Sequence, residues 1–284
     1  MPELPEVEVL VRHLRPRLAG REIHGVEVRR RLVVEPTTTA ALRWALVGAR
    51  FEAVERRGKF LLFHMVGDGW GGRRLLVGHL GMTGRMYVEP QGGALARHAA
   101  VVLDLGDERF VFEDTRYFGR LTLDASSLAG LGPEPLEESF SPAVFAGALG
   151  RSRQAIKVKL LDQSLVAGVG NIYASEALFR AGISPRVAAR RLRMAQVVRL
   201  HAAIREVLRE AIECGSTLPL DWAGREAKDG LFYFGGAEGA GSFYDERLLV
   251  YDRAGKECRR CGGKIVRMVQ AARSTFYCPK CQRG

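Results

Sequence analysis

Residues 167–176 read "AGVGNIYASE", a glycine turn between two stretches of helical spacing. Gly168 and Gly170 let the backbone turn tightly, and Asn171 is placed to cap the helix that follows. Exposed amides at such a helix start bind phosphate. The same residues also suit a plain helix–turn–helix core. The surrounding segment, "AIKVKLLDQSLVAGVGNIYASEALFRAGISP", predicts two shorter helices around the turn. Farther on, Val197, Leu200, Ile204, Val207, Leu208 and Ala211 recur at helical spacing and predict a long helix.

Toward the N-terminus the texture changes. From Glu22 to about Leu123 the chain carries short runs rich in Val, Leu and Phe: "KFLLFHMV", "AVVLDL" and "RFVFED". The breaks "GDGWGG" and "GDE" separate them, which reads as a β-sandwich or barrel. Ahead of it, Val7, Leu10, Val11, Leu14 and Leu18 predict an amphipathic helix ending at Gly20, kinked or shortened by Pro16. The Pro-rich connector "LGPEPLEESFSP" places a boundary near residue 133.

The chain opens "MPELPEVEVL". A secretory signal starts with positive charge and an apolar run, so this start predicts neither signal nor anchor. Two readings of Pro2 stand side by side. In one, Pro5 begins a helix, Pro2 stiffens the entry, and Glu6 and Glu8 favour the helix dipole. In the other, removal of Met1 leaves Pro2 as a secondary amine that attacks an electrophilic carbon, with Glu3 moving protons.

A net charge of +11 favours a polyanionic partner, nucleic acid first. It comes in short clusters, such as Arg29–Arg31 and Arg56, Arg57 and Lys59, which suit a folded surface rather than a tail. No apolar run approaches the roughly 18–20 residues of a membrane span. Two loops add to the picture. "GHLGMTGR" sets Met82 between glycines, and "EDTRYFGR" offers Arg116, Tyr117, Phe118 and Arg120. Basic and aromatic residues on a loop suit insertion into DNA.

Four of the five cysteines form Cys258-x-x-Cys261 and Cys278-x-x-Cys281, sixteen residues apart. Two such knuckles complete a closed, structural Cys₄ zinc site; two disulfides are the alternative. Cys214 reads as an ordinary buried thiol. Between the knuckles, Val266, Met268 and Val269 read as strand positions of a hairpin with Gln270–Arg273 at its tip.

Together these stretches resemble bacterial formamidopyrimidine-DNA glycosylase, the Fpg/Nei family, nearly end to end. The match runs from "MPELPEVE" through "RRGKFLL", "HLGMTG", "GPEPL", "AIKVKLLDQ", "AGVGNIYASEALF" and "GSTL" to "CRRCGGKIVRMVQAARSTFYCPKCQ". The resemblance implies an α+β fold: an N-terminal β-sandwich with its leading helix over 1–133, a helix–two-turn–helix domain over 134–220, a lesion-recognition loop over 221–244 and a zinc finger over 245–284. It implies excision of oxidised purines from double-stranded DNA, followed by strand cleavage, by a cytoplasmic monomer with one structural Zn²⁺ and no membrane contact.

Site roles follow from the same resemblance. Pro2 is the expected nucleophile at C1′ of the damaged nucleotide, Glu3 the acid/base, and Glu6 a supporting acid. Lys59 is expected near the phosphates in β-elimination, and Arg273 in δ-elimination. Lys157 and Asn171 resemble phosphate contacts, and His98 a DNA-binding histidine. Met82, Arg116 and Phe118 resemble a wedge that fills the hole left by the extruded base and reads the opposite cytosine. Flipping a base out of the stack has an unstacking cost that such side chains offset in part.

The sequence departs from the family pattern in two places. Tyr117 stands where a second arginine is usual, and Thr115 where proline is usual. The stretch "PLDWAGREAKDGLFYFGGAEGAGSFYDERLL" is longer than the family's compact loop, and its glycine content predicts mobility without DNA. Two alternatives are an endonuclease VIII-like glycosylase for oxidised pyrimidines and a non-catalytic zinc-finger protein that binds lesion DNA.

Overall fold

The computed structural model describes residues 2–67, 72–214 and 247–283. The chain divides into two compact units. The first holds Pro2 and Glu6–Ala129; the second holds Glu3–Pro5 and, among the described residues, 130–214 and 247–283.

The first unit is a β-sandwich with a leading helix. Helix α1 spans Leu4–Leu18, starting earlier than the apolar spacing suggests. Pro5 falls in its first turn, where no backbone donor is needed. Pro16 lies inside the helix, which runs on to Leu18, so it does not shorten it. Val7, Val11, Leu14 and Leu18 are fully buried, and their packing offsets one missing hydrogen bond in the last turn.

Eight strands follow: β1 (Gly25–Val28), β2 (Arg50–Arg57), β3 (Phe60–Gly67), β4 (Gly72–His79), β5 (Gly84–Pro90), β6 (Ala99–Asp104), β7 (Glu108–Asp114) and β8 (Arg120–Thr122). Helix α2 (Thr39–Leu46) lies between β1 and β2, its start capped by the Thr38 hydroxyl. One antiparallel sheet has the order β1-β6-β7-β5, the other β2-β3-β4-β8. Leu61, Phe63 and Met65 alternate inward along β3 and are fully buried, as the period-2 geometry of a strand demands. Phe63 meets Phe110 of β7 edge-on, ring centroids 5.7 Å apart, so the two sheets share a core. β6 and β7 are apolar on both faces because Tyr87, Ala99, Val102 and Val111 form a second, smaller cluster outside it.

The second unit is helical, with a two-stranded hairpin. Helices α3 (Pro142–Gly150), α4 (Ile156–Leu160), α5 (Asn171–Ala181) and α6 (Met194–Glu213) precede strands β9 (Val266–Gln270) and β10 (Arg273–Tyr277). α6 is the long helix expected from its apolar stripe; Leu200, Leu208 and Ala211 are fully buried and pack with α5 residues and Leu4 in one core. Cys214 caps α6 and is half-buried, receiving a hydrogen bond from Arg247, so it is not the enclosed thiol expected. At the hairpin tip Ala271 and Ala272 both take left-handed backbone, φ 47 and 57, and Gln270 pairs with Arg273. A two-residue turn of that shape follows the strand twist, although Asn-Gly is its usual occupant.

Candidate active site

The second unit gathers Glu3, Lys157, Asn171 and Arg273 around the start of α5. Leu4 N–H donates to the Gly168 carbonyl at 3.0 Å. The Glu3 carboxylate accepts from Ile172 N–H at 2.9 Å and Tyr173 N–H at 3.4 Å. A helix start leaves such amides without internal partners, and Gly170, the residue before α5, offers no side chain to satisfy them. Glu3 therefore caps α5. This corrects two expectations. Asn171 does not cap the helix, and the Ile172 and Tyr173 amides hold a side-chain carboxylate rather than standing open to phosphate. The glycines make room for this. A Cβ on Gly170 sits 2.3 Å from Glu3 Cδ, and one on Gly168 sits 2.6 Å from Leu4 Cβ.

Asn171 links two other groups instead. Its Oδ1 accepts from Lys157 Nζ at 2.6 Å, and its Nδ2 donates to the Ser274 carbonyl on β10 at 2.9 Å. Lys157 is fully buried. Its ammonium is pushed down to about 8, chiefly by burial, with the Glu3 carboxylate pulling it up and the Arg273 guanidinium adding to the drop. Arg273 itself is exposed beside the hairpin tip. Sequence reasoning missed two members of this group. Tyr251 is half-buried, and burial pushes its phenol up, against a smaller downward pull from the Asn171 side chain. Glu176 holds the segment carrying it by accepting from the amides of Leu249, Val250 and Tyr251 at 2.8–2.9 Å. The quoted stretch ends on Glu176, but its partners lie more than 70 residues away, outside any local pattern.

The four zinc-knuckle cysteines also fall in this unit. Their sulfurs all lie within 4.8 Å of one another, with Cys258–Cys281 at 3.8 Å and Cys261–Cys278 at 3.5 Å. Tetrahedral Zn–S bonds of about 2.3 Å set sulfurs about 3.8 Å apart, whereas a disulfide needs about 2.05 Å. The donor set fits one zinc ion, and the hairpin it holds carries Arg273 and Ser274.

The first unit holds the remaining expected residues. Pro2 is buried, and Glu6 is 1% exposed; Met1 and the expected recognition loop lie outside the described residues. Lys59, also buried, sits with Gly58 in the two-residue turn joining β2 and β3. Gly58 adopts φ 56 at the first position of that turn, where glycine is favoured. His79, not singled out from the sequence, lies near it. Burial and then the Lys59 and Arg120 charges push its imidazole down to about 4. Gly81 N–H donates to His79 Nδ1 at 3.1 Å, so this neutral ring presents Nε2–H.

Asp114 organises the two loops. It is fully buried and accepts from the Thr83 hydroxyl at 2.5 Å, Arg116 N–H at 3.1 Å and Gly119 N–H at 2.7 Å. Gly81 approaches closely; a Cβ there meets Gly119 N at 2.6 Å. The result is an exposed cluster on a fixed base. Met82 is 40% and Phe118 54% exposed. The Arg116 guanidinium lies 4.7 Å from the Phe118 ring centroid and 3.4 Å from Met82 Sδ. His98 Nδ1 lies 3.2 Å from the Tyr117 hydroxyl.

Known proteins resemble this chain throughout its length. Residues 1–121 match the formamidopyrimidine-DNA glycosylase N-terminal domain, residues 131–219 the formamidopyrimidine-DNA glycosylase H2TH domain, and residues 255–284 the zinc finger found in FPG and IleRS. The formamidopyrimidine-DNA glycosylase of Chloroflexus aggregans is 46% identical over 293 residues, covering 99% of this chain and 98% of that one. That of Desulfitobacterium hafniense is 42% identical over 289 residues, covering 99% and 100%. The fold of Lactococcus lactis Fpg (MutM), solved with DNA containing N7-benzyl-Fapy-dG, matches with a TM-score of 0.85 at 32% identity over 100% of both chains. A structure of MutM with DNA containing carbocyclic 8-oxo-G matches at 0.84 and 32%, again over 100% of both.

Proposed function

The chain belongs to the formamidopyrimidine-DNA glycosylase family, and on that premise we propose that it excises 8-oxoguanine and formamidopyrimidine bases from duplex DNA and then cleaves the strand. The anchoring of Glu3 carries the reading. A chain terminus frays unless it is tied down. Here Glu3 and Leu4 are hydrogen-bonded to the α5 start and the Gly168 carbonyl, which fixes the residue bonded to Pro2.

With Met1 removed, the Pro2 secondary amine attacks C1′ of the flipped nucleotide. The C1′–N bond breaks, and the damaged base leaves with its electron pair and takes up a proton. Glu3 assists by moving a proton to the opening sugar ring. The resulting iminium at C1′ acidifies the C2′ hydrogen. Loss of that proton expels the 3′ phosphate, and a second elimination expels the 5′ phosphate. Lys59 and Arg273 serve these two steps, Asn171 and His98 contact phosphates, the buried Lys157 lends its charge to that grip from behind Asn171, and Glu6 supports the N-terminal segment. Met82, Arg116 and Phe118 fill the vacated stack, for which their exposure on a fixed loop suits them. The zinc ion holds the hairpin that presents Arg273. The same reading takes residues 1–133, 134–220, 221–244 and 245–284 as its working parts. Among the described residues no helix is long and apolar enough to cross a membrane, and the reading places the enzyme in the cytoplasm on chromosomal DNA.

Borohydride trapping on an abasic-site duplex tests it. The mature protein forms a covalent adduct through residue 2; Pro2→Gly retains a slower primary-amine adduct, and an N-terminally extended form gives none. A crosslink mapped to a lysine instead rejects the mechanism. Excision from 8-oxoguanine:cytosine well above that from thymine-glycol duplexes separates the purine-directed activity from an endonuclease VIII-like one.

A further inference from the structure

Tyr117 is held in a conformation that bulky residues avoid. Its φ is 55, and among the described residues of the first unit it is the one non-glycine with positive φ. Left-handed backbone is a genuine outlier for a large side chain, so surrounding contacts must hold it. On the main chain, Asp114 binds the amides of Arg116 and Gly119 on either side. On the side chain, the exposed Arg30 guanidinium sits 5.1 Å from the Tyr117 ring centroid, and its Nε lies 3.2 Å from the hydroxyl. The His98 ring meets the tyrosine edge-on at 6.2 Å, with Nδ1 3.2 Å from the same hydroxyl.

Counting donors narrows the proton positions. An arginine Nε–H only donates, so the Tyr117 oxygen accepts there. The hydroxyl has a single hydrogen, and His98 Nδ1 is its remaining partner in the cluster. With that hydrogen aimed at His98, Nδ1 accepts, and a neutral His98 ring carries its own hydrogen on Nε2. His79 reaches the same tautomer by a different route, from the Gly81 amide.

We propose that Tyr117 is a positioning residue: oriented by Arg30, its hydroxyl fixes His98 as the Nε2–H tautomer, coupling that phosphate-directed donor to the loop presenting Arg116 and Phe118. The inference rests on the reading of His98 as a DNA contact. It makes the phosphate grip and the base-side wedge one unit, set through the tyrosine between them.

Long-range ¹H–¹⁵N spectra of the free, zinc-loaded full chain, at alkaline pH where imidazoles are neutral, test the relay directly. His98 Nδ1 is expected to show the shift of a hydrogen-bonded acceptor, and Tyr117→Phe to move it toward the solvent-averaged value. Tyr117→Phe keeps the ring, so zinc content and thermal unfolding should stay close to the parent. Affinity for a duplex with a reduced abasic site should fall roughly three- to tenfold in Tyr117→Phe, and adding the change to His98→Ala should cost nothing further. A hydrogen on His98 Nδ1 in the parent, or losses that multiply in the double variant, overturns the proposal. Unchanged affinity in His98→Ala overturns it too, while excision by the parent protein shows that the glycosylase reading stands.

Discussion

Glu3 and Asp114 are both buried carboxylates, 1% and 0% exposed, and both accept from backbone amides. Their partners differ in reach. Glu3 bonds amides 169 and 170 residues along the chain, whereas the amides on Asp114 lie two and five residues away. The long-range tie brings a chain terminus into a buried polar cluster where desolvation lowers the pKa of Lys157. The local tie knots a loop so that Met82 and Phe118 stay exposed without collapsing inward. In the proposed mechanism, chemistry on the sugar calls for the first arrangement and insertion into a base stack for the second. Each rests on one carboxylate.

The sharpest way to break the comparison is to loosen the long tie. Glu3→Gln removes the proposed acid/base and should slow excision by roughly 10²–10⁴-fold, read in single-turnover assays. Gly170→Ala adds no charge, yet its Cβ falls 2.3 Å from Glu3 Cδ. It should displace the carboxylate and give a comparable loss with global stability largely kept. If Gly170→Ala excises normally, the cap does not position Glu3.

Asp114→Asn tests the local tie. The amide cannot accept from all three donors as the carboxylate does, and charge-assisted hydrogen bonds contribute about 1.5–3 kcal/mol each. A loss of roughly 3–5 kcal/mol is expected in denaturant unfolding, with discrimination of the base opposite the lesion weakened before excision itself.

Titration sharpens the contrast further. The His79 pKa is lowered from 6.5 to about 4 in the folded protein, so the unfolded state binds the proton first. Its contribution is intact above pH 6.5 and is lost as pH falls toward about 4. The full shift corresponds to roughly 3–3.5 kcal/mol, and His79→Gln should flatten that part of the pH–stability curve. Lys157, with its pKa lowered to about 8, should lose its charge in mildly alkaline solution. DNA affinity is then expected to fall by roughly threefold as pH rises through that value, a factor worth about 0.7 kcal/mol, and Lys157→Arg should remove the dependence.

What was legible in the sequence was what depends on local spacing. The cysteine knuckles fixed the zinc site because four thiolates at that interval have few other uses. The alternation in β3 and the stripe of α6 were equally plain. Asn171 was misread as a helix cap because the residue type suits that task locally, and nothing nearby announces that residue 3 takes it. Tyr251 and Glu176 were missed for the same reason, as partners joined only by folding. His79 sat inside a quoted motif, but its low pKa comes from burial and from Lys59 and Arg120. Pro16 shows the opposite limit: a residue-level rule predicted a kinked or shortened helix, yet α1 runs on through Pro16 to Leu18.

The pairing of Glu3 with Ile172 also sets an order of events at the ribosome. The cap is among the first residues made, and its amides follow 169 residues later, roughly 10–30 s at ordinary elongation rates. The sandwich can assemble in that interval, but Glu3–Pro5 must wait, unsatisfied, for a helix not yet synthesised. A nascent chain stalled before Ile172 is therefore expected to hold a folded first unit with a protease-sensitive beginning, and the end proposed to react is among the last parts to be secured.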